Sequence, residues 1–327
     1  MELADVAAVR RRLDEVDYLV DEGTATAMYF ALTLGRPLLL EGEPGVGKTA
    51  AAKALAAALG TRLIRLQCYE GLTVGEALYE WNYQRQLLAI RLAESRHEAL
   101  RDADLFTAEF LQERPILQAI RHAGPQPPVL LIDEIDRADD EFEALLFEFL
   151  GEAAITIPEI GTFAATRPVL LIDEIDRADD EFEALLFQFL GEAAITVPEL
   201  GTFTAERRPA VVLTSNRSRE LHDALRRRCL YHWIDFPDAA RAAEILRRAV
   251  PGAGEPLIAA TTAFIGDVRQ LSLDKVPGMA EAIDWLSALS ALGVGDLVHP
   301  HVIRTLGAIA KTADDRDSIA EALRTAT

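Results

Sequence analysis

Gly42, Gly45, Gly47, Lys48 and Thr49 fall in the run GEPGVGKT, a GxxxxGKT spacing. The spacing suits a phosphate cradle. Glycines let backbone N–H groups converge on phosphate oxygens without Cβ clashes, the lysine reaches the β- and γ-phosphates, and the threonine hydroxyl ligates Mg2+. The candidate nucleotide contacts are Gly42, Glu43, Pro44, Gly45, Val46, Gly47, Lys48, Thr49 and Ala50. A Gly-rich turn without a ligand is the bland alternative. Context disfavours it, because the apolar run RPLLLE precedes the motif and the helix formers AAAKALAAALG follow it. A strand, a turn and a helix in that order aim the positive helix end at the bound anion.

Two acids end the run VLLIDE at Asp133 and Glu134, and the same pair recurs at Asp173 and Glu174. Apolar residues followed by Asp-Glu form a Walker B pattern. The aspartate holds Mg2+ through its water shell, and the glutamate polarises an attacking water. Thr49, Asp133 and Asp173 are thus the candidate metal ligands, and Glu134 and Glu174 the candidate catalytic acids. Asn216 ends another apolar run, AVVLTSN, where a neutral amide can orient the lytic water from the opposite side. Arg226, Arg227 and Arg228 follow. They read either as a solvated basic cluster or as an arginine finger entering a neighbouring subunit's site, with Arg228 preferred to Arg227; such fingers contribute about 10³–10⁵ in rate. His299-Pro-His301 lacks nearby cysteines or acids and reads as a helix start rather than a metal site. Trp81, Trp233 and Trp285 read as packing residues.

These groups must be held by a parallel α/β scaffold. Residues 5–34 read as two helices with a break near Asp21–Gly23, Arg36–Glu41 as a buried strand, and Leu63–Leu66 as a second. Residues 71–120 read as mainly helical, and Gly124–Pro128 as a loop. Ala210–Asn216 and Tyr231–Phe236 read as strands, and Leu225–Arg228 as the end of a helix. From Pro237 onward the pattern is helical throughout, over 238–249, 255–271, 278–292 and 299–325. The expected division is an α/β nucleotide-binding domain over 1–237 and an all-helical lid over 238–327.

Inside the first domain lies a tandem duplication. Residues 128–167 and 168–207 differ at only five of forty positions: Glu148/Gln188, Ile157/Val197, Ile160/Leu200, Ala164/Thr204 and Thr166/Glu206. Two copies are too few for a solenoid. Each unit reads as a strand, a helix capped by Asp139 or Asp140 and stopped at Gly151, and a hairpin over AITIPEIGTF.

The chain has 327 residues and a net charge of -20. Nucleic-acid binding rests largely on phosphate neutralisation by Lys and Arg. A chain this acidic, without an aromatic-basic stretch, argues against nucleic acid as a partner. Two distant cysteines, Cys68 and Cys229, form neither a disulfide framework nor a zinc motif. No run approaches a membrane span of about 20 apolar residues, and the first residues lack a signal-peptide core. A cytoplasmic protein is expected.

Together, GEPGVGKT, LLIDEID, LTSN and RRRC resemble the MoxR-type AAA+ ATPases. The CoxD-like branch is the nearer likeness, through Leu66–Leu72 (LQCYEGL), Ala77–Tyr83 (ALYEWNY), Ile155–Thr162 (ITIPEIGT), Asp223–Tyr231 (DALRRRCLY) and Lys275–Trp285 (KVPGMAEAIDW). The resemblance implies an AAA+ core, a helical lid and a homo-hexameric ring. It implies ATP and Mg2+ as cofactors, and maturation of a carbon monoxide dehydrogenase-type client metalloenzyme with a von Willebrand A domain partner. It assigns Lys48 and Thr49 to Walker A, the Asp-Glu pair to Walker B, Asn216 to sensor 1 and Arg228 to the finger. Two departures stand out. The lid segment KVPGMAEA lacks the sensor 2 arginine of many relatives, leaving Lys275 to substitute, and the family carries a single copy of the Walker B unit.

One VLLIDE strand is expected between the second strand and the sensor 1 strand, with the spare unit docked on the core or on a neighbouring subunit. Copy 1, copy 2 and a hybrid all remain open, because loop closure separates them only weakly. Two further functions compete with a remodelling ATPase: a nucleic-acid motor or loader, and a non-hydrolysing switch whose duplicated unit misplaces the acids.

Overall fold

A computed structural model describes residues 4–97, 101–122, 128–138, 142, 146, 154–157, 161–164, 169–180, 182–184, 186, 190, 194–197, 201–204 and 210–326. Its strands in chain order are β1 (Leu38–Glu41), β2 (Leu63–Gln67), β3 (Tyr79–Trp81), β4 (Leu111–Glu113), β5 (Val129–Asp133), β6 (Ala154–Ile157), β7 (Gly161–Ala164), β8 (Val169–Ile172), β9 (Ala194–Val197), β10 (Gly201–Thr204), β11 (Ala210–Ser215) and β12 (Leu230–Trp233). Six of them form one parallel sheet in the order β12-β1-β11-β8-β5-β2. Side chains alternate between its faces. Leu39, Leu130, Leu170 and Leu213 feed one core. Leu38, Leu40, Val129, Leu131, Val169, Leu171 and Val212 feed the other, against the helices Val6–Glu15, Glu22–Leu34 and Lys48–Ala58. Burial on both faces explains why these strands are continuous apolar runs.

The duplication is accommodated in a way the expectation of a single seated copy missed. Both VLLI strands lie in the sheet, β8 beside β11 and β5 beside β2. They pair with each other in parallel, Val129 with Val169, Leu130 with Leu170, Leu131 with Leu171 and Ile132 with Ile172. The spare unit is part of the core itself and widens the sheet by one strand. The physical reason is that a parallel sheet offers the same ladder to any strand with the right alternation, and the residues between the copies are long enough for a crossover. Phe142 and Leu146 of copy 1, and Phe182, Leu186 and Leu190 of copy 2, are helical and buried in one shared core. Each copy also forms its hairpin, β6 with β7 and β9 with β10. The expected cap at Asp139 or Asp140 and the stop at Gly151 lie outside the described residues, as do residues 124–127 of the expected loop.

Three local readings also shift. The first two helices separate at residues 16–21 rather than 21–23, because Asp21 is the N-cap of the second, accepting from the Thr24 amide at 2.7 Å. The stretch 71–120 contains a small antiparallel pair, β3 with β4. Residues 299–325 form a 3-10 segment, Val302–Ala308, and a separate helix, Ala313–Ala326. With Ala239–Ala249, Glu255–Val268 and Met279–Ala291 they enclose an apolar cluster around fully buried Trp285, whose ring centroid lies 5.5 Å from that of Phe264. Among the described residues, no helix is long and apolar enough to cross a membrane.

Candidate functional site

β1 delivers the chain into the GEPGVGKT turn, and the helix Lys48–Ala58 begins at its end. Gly47 is that helix's N-cap at φ +99°, a backbone that side-chain-bearing residues rarely adopt. Lys48 is buried, and its Nζ donates to the carbonyls of Gly42 at 2.8 Å and Glu43 at 2.9 Å. Burial lowers its pKa, opposed by Asp173, Asp176, Glu174 and Glu43.

Copy 2 supplies the acids nearest this turn. Thr49 Oγ1 donates to Asp173 Oδ2 at 2.6 Å. The other oxygen of Asp173 accepts from Thr214 Oγ1 on β11. Glu174 has φ +54°, a left-handed backbone that turns its carboxylate out of the strand line, and its amide donates to Thr214 Oγ1 at 3.0 Å. Asn216 Nδ2 donates to Glu174 Oε1 at 2.6 Å. Burial raises the Glu174 pKa, and Arg177 and the Asn216 hydrogen bond lower it in part. A carboxylate with a raised pKa is a better proton acceptor than a fully solvated one. Thr49 and Asp173 offer a hydroxyl and a carboxylate at one point, an all-oxygen set suited to Mg2+ completed by phosphate oxygens and water.

Copy 1 repeats the backbone but not the surroundings. Glu134 has φ +56°, almost the angle of Glu174. Asp133, however, accepts from Arg65 Nε at 3.0 Å and from its Nη2, while Glu134 keeps the same kind of pair as Glu174, 3.3 Å from Arg137 against 2.8 Å from Arg177. Neither acid lines the cavity at the turn, whereas Asp173 and Glu174 both do. The structure therefore does not bring Asp133 or Glu134 to Thr49. The reason is position in the sheet, since β8 stands between β5 and the β11 strand that carries Thr214 and Asn216.

The cavity beside the turn holds about 630 Å³. Pro44, Gly45, Val46, Gly47, Lys48, Thr49 and Ala50 line it, with Asp173, Glu174 and Asn216. Motif reading missed the others, among them Tyr18, Asp21, Ile234, Arg241, Ile245, Arg248, Met279 and Ile283. They come from segments far apart in sequence and carry no spacing pattern. Tyr18 donates its hydroxyl to the Gly47 carbonyl at 3.3 Å, and burial raises its pKa. Arg241 bonds Asp21 at 3.1 Å and Arg248 bonds Asp14 at 2.9 Å, tying the helix Ala239–Ala249 to the N-terminal segment.

The C-terminal helices touch the phosphate turn directly. The Met279 amide donates to the Gly45 carbonyl at 3.0 Å. A Cβ built on Gly278 would lie 2.6 Å from Gly45 Cα, and one on Gly45 would lie 2.7 Å from Gly278 Cα. Lys275 does not line the cavity; its side chain is exposed and its amide bonds Asp315 at 3.1 Å. The expected substitution of Lys275 for a sensor 2 arginine therefore has no contact to support it. From the start of the helix Met279–Ala291, Met279 and Ala280 line the cavity.

The arginine cluster sits on the helix Asp223–Arg228 and lines none of this cavity. Arg226 lies 3.7 Å from Glu41 and over the Tyr231 ring. Arg227 is exposed and pairs with Asp223 at 3.4 Å, and the Arg228 carbonyl accepts from Arg36 at 3.1 Å. The His299 ring accepts from the His301 amide at 3.2 Å. Among the described residues, no group of three or more His, Cys, Asp or Glu side chains could hold a metal by itself.

The family model described as AAA domain (dynein-related subfamily) matches residues 37–168, less than half of the chain. Comparison with curated protein sequences finds no match. Among solved structures, two point mutants of Thermotoga maritima RuvB are 16% identical. One covers 93% of this chain and 70% of its own at a TM-score of 0.44. The other covers 90% and 71% at 0.49. The Thermotoga maritima RuvB Holliday junction branch migration motor is 14% identical, covering 91% and 68% at a TM-score of 0.43. The family match runs through copy 1 and stops at Pro168, whereas the spatial partner of Thr49 is Asp173. The two copies are nearly identical, so sequence matching cannot distinguish them; the geometry does. The fold is an AAA+ P-loop α/β core with a six-stranded parallel sheet and a helical C-terminal region, and an AAA domain is a nucleotide-binding ATPase module.

Proposed function

We propose that this chain binds ATP with Mg2+ in the cavity described above and hydrolyses it with the acids of copy 2. The supporting observation is the pair of contacts Thr49–Asp173 and Asn216–Glu174 at the mouth of the GEPGVGKT turn. Backbone amides of Gly45 to Thr49 and the Lys48 ammonium hold the phosphates. Thr49 and Asp173 hold the metal, which would offset charge on the β- and γ-phosphates. Glu174 accepts the proton of the attacking water, and the Asn216 amide orients that water and the carboxylate together. The geometry counts against a non-hydrolysing switch, because the duplication leaves one acid pair beside the P-loop.

The finer reading rests on the resemblance. An α/β domain over 1–237 and a lid over 238–327 assemble as a hexamer, in which Arg228, or Arg227 beside it, reaches the next subunit's site. The energy of hydrolysis remodels or matures a client metalloenzyme in concert with a von Willebrand A domain protein, inside the cytoplasm. The net charge of -20 argues against a nucleic-acid motor.

Calorimetry with ATP and Mg2+ tests the first statement. Saturable uptake that disappears in Lys48→Ala is expected, and equal uptake by both proteins would overturn it. Pull-down with a von Willebrand A protein, with and without ATP, tests the second.

A further inference from the structure

Asp176 is 1% exposed, and its carboxylate accepts three hydrogen bonds from the segment after β11. The Asn216 amide donates to Oδ1 at 3.0 Å, and the Ser218 amide and hydroxyl each donate to Oδ2 at 2.7 Å. A carboxylate buried to this degree is costly unless its lone pairs are satisfied. All three donors that satisfy it belong to the one loop that begins with Asn216. The same loop carries Arg217 at φ +57°, so its path is held in a backbone conformation that an unrestrained chain would seldom take. At the other end of this arrangement, Asn216 Nδ2 meets Glu174 at 2.6 Å.

The duplicated unit supplies an internal comparison. Asp136 occupies the equivalent place in an identical IDEIDRAD stretch, yet it is exposed. Local sequence is therefore not what buries Asp176. Its neighbour is β11, which lies beside β8 and not beside β5.

We infer that Asp176 is a positioning residue that fixes the Asn216 loop so that the Asn216 amide is held against Glu174. The inference rests on the ATP hydrolysis proposed for this site. Asp176 does not touch the reacting atoms. It acts through Asn216, and misplacement of such a group by about 1 Å can cost on the order of a hundredfold in rate.

The test compares Asp176→Ala, Asp176→Asn, Asn216→Ala, the double variant Asp176→Ala/Asn216→Ala and Asp136→Ala in the full chain. Steady-state phosphate release gives kcat and KM, and a fluorescent ATP analogue with Mg2+ gives affinity. Asp176→Ala should lower kcat by on the order of a hundredfold, with KM and analogue affinity within about twofold. The double variant should be no slower than Asn216→Ala, because both substitutions remove one function. Asp176→Asn, which keeps an acceptor oxygen, should recover part of the rate, and Asp136→Ala should match the native protein. Equal kcat for Asp176→Ala and Asp136→Ala would overturn the inference, as would multiplying losses in the double variant. Should Asp176→Ala fail to fold by circular dichroism, Asp176→Asn decides: a native kcat overturns the inference, and a lowered kcat with native affinity supports it. A native protein with no turnover would instead sink the ATPase reading, a separate result.

Discussion

Asp173 receives the Thr49 hydroxyl at 2.6 Å, while Asp133, in the same place of an identical stretch, receives the Arg65 guanidinium. One sequence thus serves two environments. The difference lies wholly in which strand stands next to β11.

The two glutamates should separate in the same way. Glu174→Gln removes the proton acceptor and should slow phosphate release by about a hundredfold or more, with nucleotide still bound. Glu134→Gln should turn over like the native protein. Comparable losses in both variants would contradict the assignment of chemistry to copy 2.

Removing residues 128–167 should return the sheet to five strands. The in-register pairing of β5 with β8 means that β8 can take the place of β5 beside β2 without turning any side chain to the other face. ATP turnover should survive, and thermal scanning should show whether the shorter sheet melts earlier. Loss of turnover in a folded deletion protein would show that the extra strand is needed.

Gly278→Ala should uncouple the helix Met279–Ala291 from the phosphate turn. Its Cβ would meet Gly45 backbone atoms at 2.6–2.9 Å, and backbone cannot swing aside as a flexible side chain does. A destabilisation of about 1–3 kcal/mol is expected from such crowding, together with weaker ATP binding by calorimetry. Unchanged melting and affinity would refute the contact.

Asp21 gives the pH prediction. Burial disfavours its charge, but the Thr24 amide and hydroxyl, then Arg241 and His232, outweigh burial and lower its pKa. A carboxylate with a depressed folded pKa stabilises above its unfolded value near 3.9 and loses that contribution as pH falls through the folded value. Asp21→Ala should cost about 1 kcal/mol at neutral pH as a lost N-cap. Urea titrations should show the gap between the two proteins constant from pH 6 to 8 and closing in acid. A gap that widened in acid would reverse the sign argued here.

Cys229 offers a chemical check. Burial pushes its thiol up to about 12, slightly opposed by Arg36. A thiol-specific reagent at pH 8 should therefore label Cys229 slowly in the folded protein and quickly in denaturant, because the thiolate is the reactive form. Equal rates would show the site to be open.

Much of the site was readable beforehand because its parts are contiguous. GEPGVGKT carries strand, turn and helix signals within a few residues, and Asn216 ends an apolar run long enough to be buried. What stayed hidden depends on contacts between distant segments. No property of VLLIDE separates Asp133 from Asp173, since the distinguishing neighbour, Thr214, is supplied by another strand. Tyr18, Arg241 and Ile283 meet only when the C-terminal helices fold over the turn. β3 and β4 lie about thirty residues apart and are too short to show alternation. The break before the last helix does have a local sign: Thr312 Oγ1 accepts the Asp315 amide at 3.1 Å, a cap without glycine or proline.

Two interchangeable strands in adjacent slots also bear on how the chain reaches this arrangement. While the sheet assembles, VLLI from either copy satisfies the slot beside β11 equally well, so the early landscape holds two near-degenerate pairings. The IDEIDRAD stretch is identical in both copies, so either would offer the Asn216 loop and Thr49 the same carboxylates, and only the chain connections of the two repeats separate the pairings. Refolding should accordingly show a slow population that has seated the wrong repeat and must unpair before it can proceed.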